Sequence, residues 1–532
     1  MAQGPRPALV PGCREVFLET ETSGVFLAPD DRRAGAPAFC MTATIDIPAA
    51  PATDALAETL SGIVGAAHVL TAAADMARYE AEWRRIYPGA ARAVVRPAST
   101  GEVSRVVAAC AAAGVPIVPQ GGNTGLVGAS TPDDSGTEIV LSLDRMRAVR
   151  RADPLDNTLT LEAGCTVREA QAAAEAAGRL FPLSLASEGS ATVGGVVSTN
   201  AGGEQVLRYG NTRELVLGLE VVLADGRVLD LLGALRKDNT GYDLKQLFIG
   251  GEGTLGIVTA ATFKLFSRPR QVVTAWAAVR DPRAAVALLS RLTDAVGERV
   301  TAFELIGEGP LGLVLQHGTP GMRAPLGGVA PWSVLLDVSE VSASLDLQPA
   351  VEEVLGAAME DGLVLDAALA ASDSQAHAFW ALREHIPEAQ RLEGPSIKHD
   401  IAVAISRIPD FIDQAGAALQ QLMPGIRIVC FGHVGDGNLH YNQGKPAGMA
   451  DADFRSHEGA VHGVVHATAA RLGGSISAEH GIGRQKQAAF MHYKSPVALA
   501  AMAQIKRALD PANTFNPGRM LPRAFLDSLT SR

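Results

Sequence analysis

Apolar positions along the chain recur with two periods, and the switches between them mark out its elements. Over STGEVSRVVAACAAAG (99–114), Val103, Val106, Val107 and Cys110 form one stripe at helical spacing. Ser99 and Glu102 predict a capping box there, and Gly114 a stop. VPIVP predicts a short buried strand, EIVLSL at 138–143 another, and TLTLEAG at 158–164 a third with clean alternation. The helical period returns in TVREAQAAAEAAG, with Thr166 and Glu169 as a second capping box and Gly178 as its stop. Ahead of these lie a helix-rich segment over 54–82 and a strand ending at Pro97. LGLEVVLADGRVLDLL predicts a hairpin whose tight turn takes positive φ at Asp225 and Gly226. Past Arg268 to Arg270, strands such as WSVLLDVS alternate with helices such as LQPAVEEVLGAAMEDG. That alternation predicts an α+β domain with helices on one face of an antiparallel sheet. The helix VALAAMAQIKRALD and the turn DPANTFNPGRML then form a tail expected to pack back on one of the domains.

Between these elements lie stretches dense in glycine. In PQGGNTGLVGAS (119–130), Gly121, Gly122, Gly125 and Gly128 remove side chains from a loop that leaves the end of a strand, so backbone N–H groups can lie against an anion. The loop lacks the Lys-Ser/Thr ending of a nucleoside-triphosphate loop and no helix pattern follows it, so it predicts a pyrophosphate cradle of another kind. Farther on, Gly189, Gly194, Gly195, Gly202 and Gly203 interleave with Ser190, Ser198, Thr199 and Asn200. Such a run offers donors and small hydroxyls, and reads as a second wall of a ligand site. Gly251, Gly253 and Gly256 have the G-x-G-x-x-G spacing, yet the strand-like IVTAATFKLF follows where a Rossmann fingerprint must open a helix. The Rossmann reading is therefore rejected.

The 532 residues suffice for two or three domains. A formal net charge of −11 leaves no basic surplus to neutralise phosphates, which argues against a nucleic-acid partner. Five cysteines (Cys13, Cys40, Cys110, Cys165 and Cys430), never in C-x-x-C, argue against a disulfide framework or an iron-sulfur cluster and fit a cytoplasmic protein. Charged or helix-breaking residues interrupt every apolar window short of the ~20 residues of a membrane span, so no transmembrane helix is expected. Residues 1–40, rich in Pro, Gly and Arg, are expected to be disordered or an upstream-start extension, with Met41 as a second start.

FGHVGDGNLHYN (431–442) carries the most chemistry. His433 and His440 bracket VGDGNL symmetrically, so a turn centred on Asp436 and Gly437 would bring the imidazoles face to face across an antiparallel pair. Asn442 would share the face of His440. Two readings are open on spacing alone: cross-strand polar partners, or two ligands of one metal ion. SAEHGIGRQK adds Glu479 and His480, adjacent in one turn. A His₂Glu set with an open position is how a catalytic zinc site is built, which favours the metal. Arg383 and Lys398 are candidate clamps for substrate carboxylates, or else solvated surface charges.

In this order the motifs resemble the vanillyl-alcohol oxidase/p-cresol methylhydroxylase flavoprotein superfamily, and within it the D-2-hydroxyglutarate and D-lactate dehydrogenase branch. The resemblance runs from about residue 70 to 525 through PQGGNTGLVG, GGVVSTNAGG, RYGNTRELVLGLEVVLADG, LRKDNTGYDLKQLFIGGEGTLGIVT, GHVGDGNLH, SAEHGIG and FNPGRML. It implies an α+β fold: a two-part FAD-binding domain of the p-cresol methylhydroxylase type over 41–270, and a substrate or cap domain on an antiparallel sheet over 271–485, carrying the metal site. Residues 486–532 would return to the FAD site.

By the same resemblance FAD lies against Pro119, Gly121, Gly122, Asn123, Thr124, Gly125 and Gly128, with Gly189, Ser190, Gly194, Gly195, Ser198, Thr199, Gly203, Gly253, Ile257 and Asn516 lining it. His433, His440 and Glu479 match the ligands of a divalent metal, zinc by the chemistry above. His480 matches the base, and Arg383, Lys398 and Asn442 the substrate contacts. Some relatives tether the flavin through a histidine where this chain has Asn123, which implies non-covalent FAD. The implied reaction oxidises a D-2-hydroxy acid to the 2-keto acid by hydride transfer to flavin N5, D-2-hydroxyglutarate first and D-lactate next. An external acceptor such as electron-transfer flavoprotein or a quinone would follow, and the chain could form a homodimer. In place of the threonine that 2-hydroxyglutarate-specific relatives carry beyond the arginine stands Pro387, which leaves a distal carboxylate with fewer partners. Two rival readings are the flavin subunit of a glycolate-oxidase-like complex and a non-redox flavin protein with a structural metal.

Overall fold

A computed structural model describes residues 52–82 and 84–529; the expectations for residues 1–40 and Met41 lie outside the described residues. Three principal sheets follow one another along the chain.

The first has the order Val69–Leu70, Ala93–Val95, Ile139–Ser142, Ile117–Gln120, with its last three strands parallel. The helix Thr100–Ala112 covers it through Val103, Val106, Val107 and Cys110, all fully buried. Ser99 caps that helix by accepting the Glu102 N–H, but the Glu102 carboxylate takes the N–H of Ala98, so only half of the expected box closes. The box at Thr166 and Glu169 closes on both sides.

The second sheet is antiparallel, in the order Val149–Asp153, Thr158–Glu162, Ile257–Lys264, Val216–Val222, Val228–Leu231. Ile257–Lys264 is a strand, so the glycine triplet before it opens no helix. In the hairpin turn only Gly226 takes positive φ, because the Leu223 N–H to Arg227 oxygen bond closes a wider loop than the two-residue turn expected. The glycine-rich stretch after Gly189 is more ordered than its composition suggests: Thr192 caps a helix, Val193–Thr199, whose Val193, Val196 and Val197 enter the core.

The third sheet has eight antiparallel strands, in the order Val364–Leu369, Gln271–Val279, Trp332–Glu340, Val300–Gly307, Arg427–His433, Asn438–Gly444, Ser396–Ile397, with Asp400–Ala402 also paired to 438–444. Helices cover both of its faces, which corrects the one-face expectation. One core gathers Leu288, Val351, Phe411 and Val465 from four helices against Leu305, Leu336 and Tyr441. The other gathers Leu311, Phe379 and Ile386 from three more against Ile306, Leu335 and Phe431. The cause is visible in the strands: adjacent positions such as Leu305 and Ile306 point to opposite faces and both are apolar.

The tail closes on the first sheet. Phe515 bridges to Ile117, and Arg519 makes a buried pair with both oxygens of Glu138, at 2.6 and 2.8 Å. No described helix is long and apolar enough to cross a membrane.

Candidate active site and cofactor cleft

A cleft between the first two sheets is lined by Pro119, Gly121, Gly194, Gly195, Ser198, Thr199, Gly253, Ile257 and Asn516, all expected from sequence. Gly121 and Gly122 allow its two glycine loops to touch. A Cβ on Gly121 would stand 2.2 Å from Thr192 Oγ1, and one on Gly122 would stand 1.8 Å from the Ser190 oxygen. Thr124, Gly125, Gly128, Gly189, Ser190 and Gly203 are not among these lining residues; a Cβ on Gly128 would meet Tyr87, one on Gly189 Arg168, and one on Gly203 the Ser184 oxygen. Asn123 turns into the protein, donating to the Ala81 oxygen at 3.0 Å and accepting from Ser130 Oγ at 2.9 Å. Its side chain therefore braces the loop.

Asn516 supplies a test of whether the cleft suits a flavin dinucleotide. Its amide donates to the oxygens of Ala129 and Glu252, which leaves Oδ1 buried with no partner. An orphaned acceptor in a glycine-walled cleft fits a ligand that carries ring N–H groups. The residues present fit FAD.

Glu252 joins this cleft to the reactive side chains. Its carboxylate accepts the N–H groups of Ile482 and Gly483, both at 2.7 Å, and so holds the loop that follows Glu479 and His480. Gly202, on the second glycine wall, leaves room for Glu479: a Cβ there would stand 3.0 Å from Oε2.

The ligating atoms of Asp400, His440, Glu479 and His480 all lie within 4.8 Å of one another. Glu479 Oε1 is 3.7 Å from His440 Nε2 and 3.6 Å from His480 Nε2. Asp400 was not foreseen as part of the site. It is 2 % exposed, accepts from Asn438 Nδ2 at 2.9 Å and takes the backbone N–H groups of Glu479 and His480 at 3.1 and 2.9 Å. Burial opposes its ionisation, but His480 and Lys486 hold it well below the ordinary carboxylate range.

His433 sits beside this group. The strand register pairs Phe431 with His440, so the hairpin is offset from the symmetric turn expected. A 3-10 turn, Val434–Asp436, and a left-handed Gly437 take up the extra residues. The His433 and His440 rings still lie 5.7 Å apart. Nδ1 of His433 pairs with Glu304 Oε1, and Glu304 Oε2 accepts from Arg383 Nε at 2.6 Å. Burial would lower the His433 pKa, but the Glu304 carboxylate raises it above the usual range; burial would raise that of Glu304, but His433 and Arg383 lower it. A carboxylate on Nδ1 turns the other ring nitrogen outward, the arrangement usual for a metal-bound imidazole. Burial and the Arg383 charge lower the His440 pKa well below its usual value, which favours the neutral ligating form. Of the expected ligands, His440 and Glu479 belong to the group of mutually close donor atoms, which Asp400 and His480 complete, while His433 stands beside it with its ring 5.7 Å from that of His440; imidazole and carboxylate donors of this kind suit a divalent metal.

Arg383 lies over the Phe431 ring at 4.8 Å, and among the described residues only its Nε has a hydrogen bond. Lys398 has no anionic partner among the described residues, and burial and the nearby Arg84 lower its pKa. Asn442 is more committed than expected: Oδ1 accepts the His399 N–H at 2.9 Å and Nδ2 donates to Gln390 Oε1 at 3.0 Å. That leaves Gln390 Nε2, on a residue 2 % exposed, without a partner.

Two signals could have found more of this site. Asp400 lies two residues past Lys398, and a carboxylate that opens the apolar strand Asp400–Ala402 needs partners. Glu304 is a lone carboxylate in the apolar run VTAFELIG, and such a group needs partners.

Residues 91–232 match the family model described as FAD binding domain, and 268–520 that of the FAD linked oxidases, C-terminal domain. D-2-hydroxyglutarate dehydrogenase, mitochondrial, of Arabidopsis thaliana is 36% identical over 448 residues, 84% of this chain and 78% of that protein. D-2-hydroxyglutarate dehydrogenase of Xanthomonas citri pv. viticola is 38% identical over 469 residues, 88% of this chain and 97% of that protein. Among solved structures, p-cresol methylhydroxylase with substrate bound superposes with a TM-score of 0.69 at 17% identity, covering 88% of this chain and 96% of that one, a likeness of fold.

Proposed function

The chain belongs to the FAD-linked oxidase family that contains the D-2-hydroxyglutarate dehydrogenases, and from that premise we propose that it oxidises a D-2-hydroxy acid to the 2-keto acid, D-2-hydroxyglutarate ahead of D-lactate. One observation carries the reading: His480, with the buried Asp400 carboxylate 3.4 Å from its Nδ1, stacks at 5.7 Å on His440, an imidazole that in turn feels the Arg383 charge.

FAD, bound non-covalently along the glycine-walled cleft, supplies the hydride acceptor. A divalent metal held by His433, His440 and Glu479, zinc by its ligand set, supplies an electrophile that lowers the pKa of a substrate hydroxyl. The chain's own residues do the rest. Arg383 offers two terminal nitrogens to the substrate's 1-carboxylate, while Glu304 fixes the guanidinium from behind. Lys398 and the unpaired Nε2 of Gln390 offer charge and a donor to a second carboxylate, which favours a dicarboxylic acid. Asp400 faces Nδ1 of His480 at 3.4 Å and keeps the proton there, so Nε2 is left to take the hydroxyl proton. An electron-transfer flavoprotein or a quinone as external acceptor, a homodimer and a reducing cytoplasm complete the proposal; the described cysteines, Cys110, Cys165 and Cys430, are free thiols.

His480→Ala tests the assignment of the base. FAD and metal content should match the unaltered protein while substrate no longer reduces the flavin. Reduction at the normal rate would overturn it.

A further inference from the structure

Between the third sheet and the helix Glu458–Arg471, three histidines converge. His399 comes from the short segment between Lys398 and Asp400, and His462 and His466 stand one turn apart on the helix Glu458–Arg471. Their candidate ligating nitrogens all lie within 4.8 Å of one another. His462 Nδ1 is 2.8 Å from His399 Nε2; the rings of His399 and His466 are 5.3 Å apart, and those of His462 and His466 are stacked at 5.5 Å. We propose that His399, His462 and His466 form a second metal site, suited to zinc, that pins the helix Glu458–Arg471 to the short segment carrying Lys398 between the strands Ser396–Ile397 and Asp400–Ala402.

The hydrogen bonds around the three rings fit a cation better than they fit three neutral rings. His399 Nδ1 faces the Tyr441 carbonyl at 3.1 Å. A carbonyl only accepts, so the proton is on Nδ1 and Nε2 presents a lone pair. His462 Nδ1 must then donate to that lone pair when no ion is present. In the neutral ring this leaves the His462 Nε2 lone pair facing Glu458 Oε1 at 3.4 Å, acceptor against acceptor. A cation between His399 Nε2 and His462 Nδ1 resolves the conflict, because Nδ1 then ligates and Nε2–H donates to Glu458. Both orienting partners, a backbone carbonyl and a carboxylate, are the usual companions of metal-bound imidazoles.

His466 supplies the third ligand and a further sign. It is 6 % exposed, and among the described residues neither ring nitrogen has a hydrogen bond. Zinc–nitrogen bonds of about 2.0–2.1 Å require the His399–His462 pair to open slightly and His466 to close on it, a movement of side chains. His462 is partly exposed, which gives an ion a route in. A set of three neutral nitrogens leaves a fourth position for water.

The site is separable from that of His433, His440 and Glu479, and the test keeps them apart. The purified flavoprotein is loaded with Zn²⁺, gel-filtered and assayed for metal by mass spectrometry alongside His466→Ala, His462→Gln and His440→Ala. Two equivalents are expected in the unaltered protein, and one less in His466→Ala and in His462→Gln, with flavin content unchanged. Loading with Co²⁺ gives a second readout, a visible band to the red of the flavin that weakens in His466→Ala. Should His466→Ala misfold, His462→Gln, at a partly exposed position, carries the comparison. One equivalent that persists in His440→Ala and vanishes in His462→Gln would uphold this site even if the active-site metal were absent. Equal zinc in the unaltered protein and both His466→Ala and His462→Gln would overturn the proposal.

Discussion

The Asp400 carboxylate accepts the backbone N–H of His480 at 2.9 Å and lies 3.4 Å from Nδ1 of the same residue. One buried side chain thus sets both the position of the His480 backbone and the direction of its ring. Asp400→Asn keeps the size but removes the charge that holds a proton on Nδ1. The expected result is a fall in kcat on the order of 10²-fold, with flavin content intact. Parallel assays of kcat and bound FAD check it, and unchanged kcat would show that His480 is oriented by other means.

Gln390 tests the substrate class. The Asn442 amide has a fixed direction because its Oδ1 takes the His399 N–H, so its Nδ2 must meet Gln390 Oε1, and Gln390 Nε2 is the atom left over. Pro387, one turn earlier on the same helix, has no side-chain hydrogen bond to give. Gln390→Met should raise KM for D-2-hydroxyglutarate roughly 10-fold, the value of about one hydrogen bond to a charged group, and leave D-lactate little changed. Equal effects on both acids would remove Gln390 from recognition of the second carboxylate.

Glu252 couples the cofactor cleft to the loop after His480. Glu252→Ala leaves the N–H groups of Ile482 and Gly483 without their acceptor, at a cost of about 1–3 kcal/mol for each that finds no water. Reduced thermal stability and a lower flavin-to-protein ratio are expected together, measured by melting and by absorbance. Loss of stability with full flavin occupancy would confine Glu252 to the loop.

A pH effect is expected at Asp337. Burial pushes its carboxyl up from 3.8 to about 6, although Thr274 Oγ1 and Trp380 Nε1 both donate to it. A raised folded-state pKa means that the folded chain binds more protons than the unfolded one between these values. Stability is therefore lost as pH rises through the window from about 4 to 6, by up to about 3 kcal/mol. Denaturant titrations across that range should show Asp337→Asn lacking this part of the slope, and parallel slopes would contradict it.

Much of the fold was legible because local signals agreed with it. The stripe from Val103 to Cys110, the box at Thr166 and Glu169, and the β-branched run after Gly256 each took the expected form. The cofactor cleft was legible as glycines, since close backbone approach is what Gly121 and Gly122 permit. The turn between His433 and His440 was not, because two symmetric histidines fit more than one register and Gly437 admits a wider loop. Nor were the groups that act from behind. Glu304 pairs with His433 and Arg383 across strand and helix, and Asp400 meets a loop 80 positions away. Contacts of that range leave no local pattern. The third sheet's second layer of helices was missed for a related reason: strands apolar on both faces look the same whichever face is considered.

D-2-hydroxy acid oxidation is tested most directly by mixing the oxidised flavoprotein anaerobically with D-2-hydroxyglutarate, D-lactate and their L-enantiomers, before and after chelation, and following the flavin band. Fast bleaching by D-2-hydroxyglutarate, slower bleaching by D-lactate and none by the L-acids are expected, with loss of the reaction on chelation and recovery when zinc is restored. A flavin that stays oxidised with every acid, in protein loaded with both FAD and zinc, would contradict this oxidation.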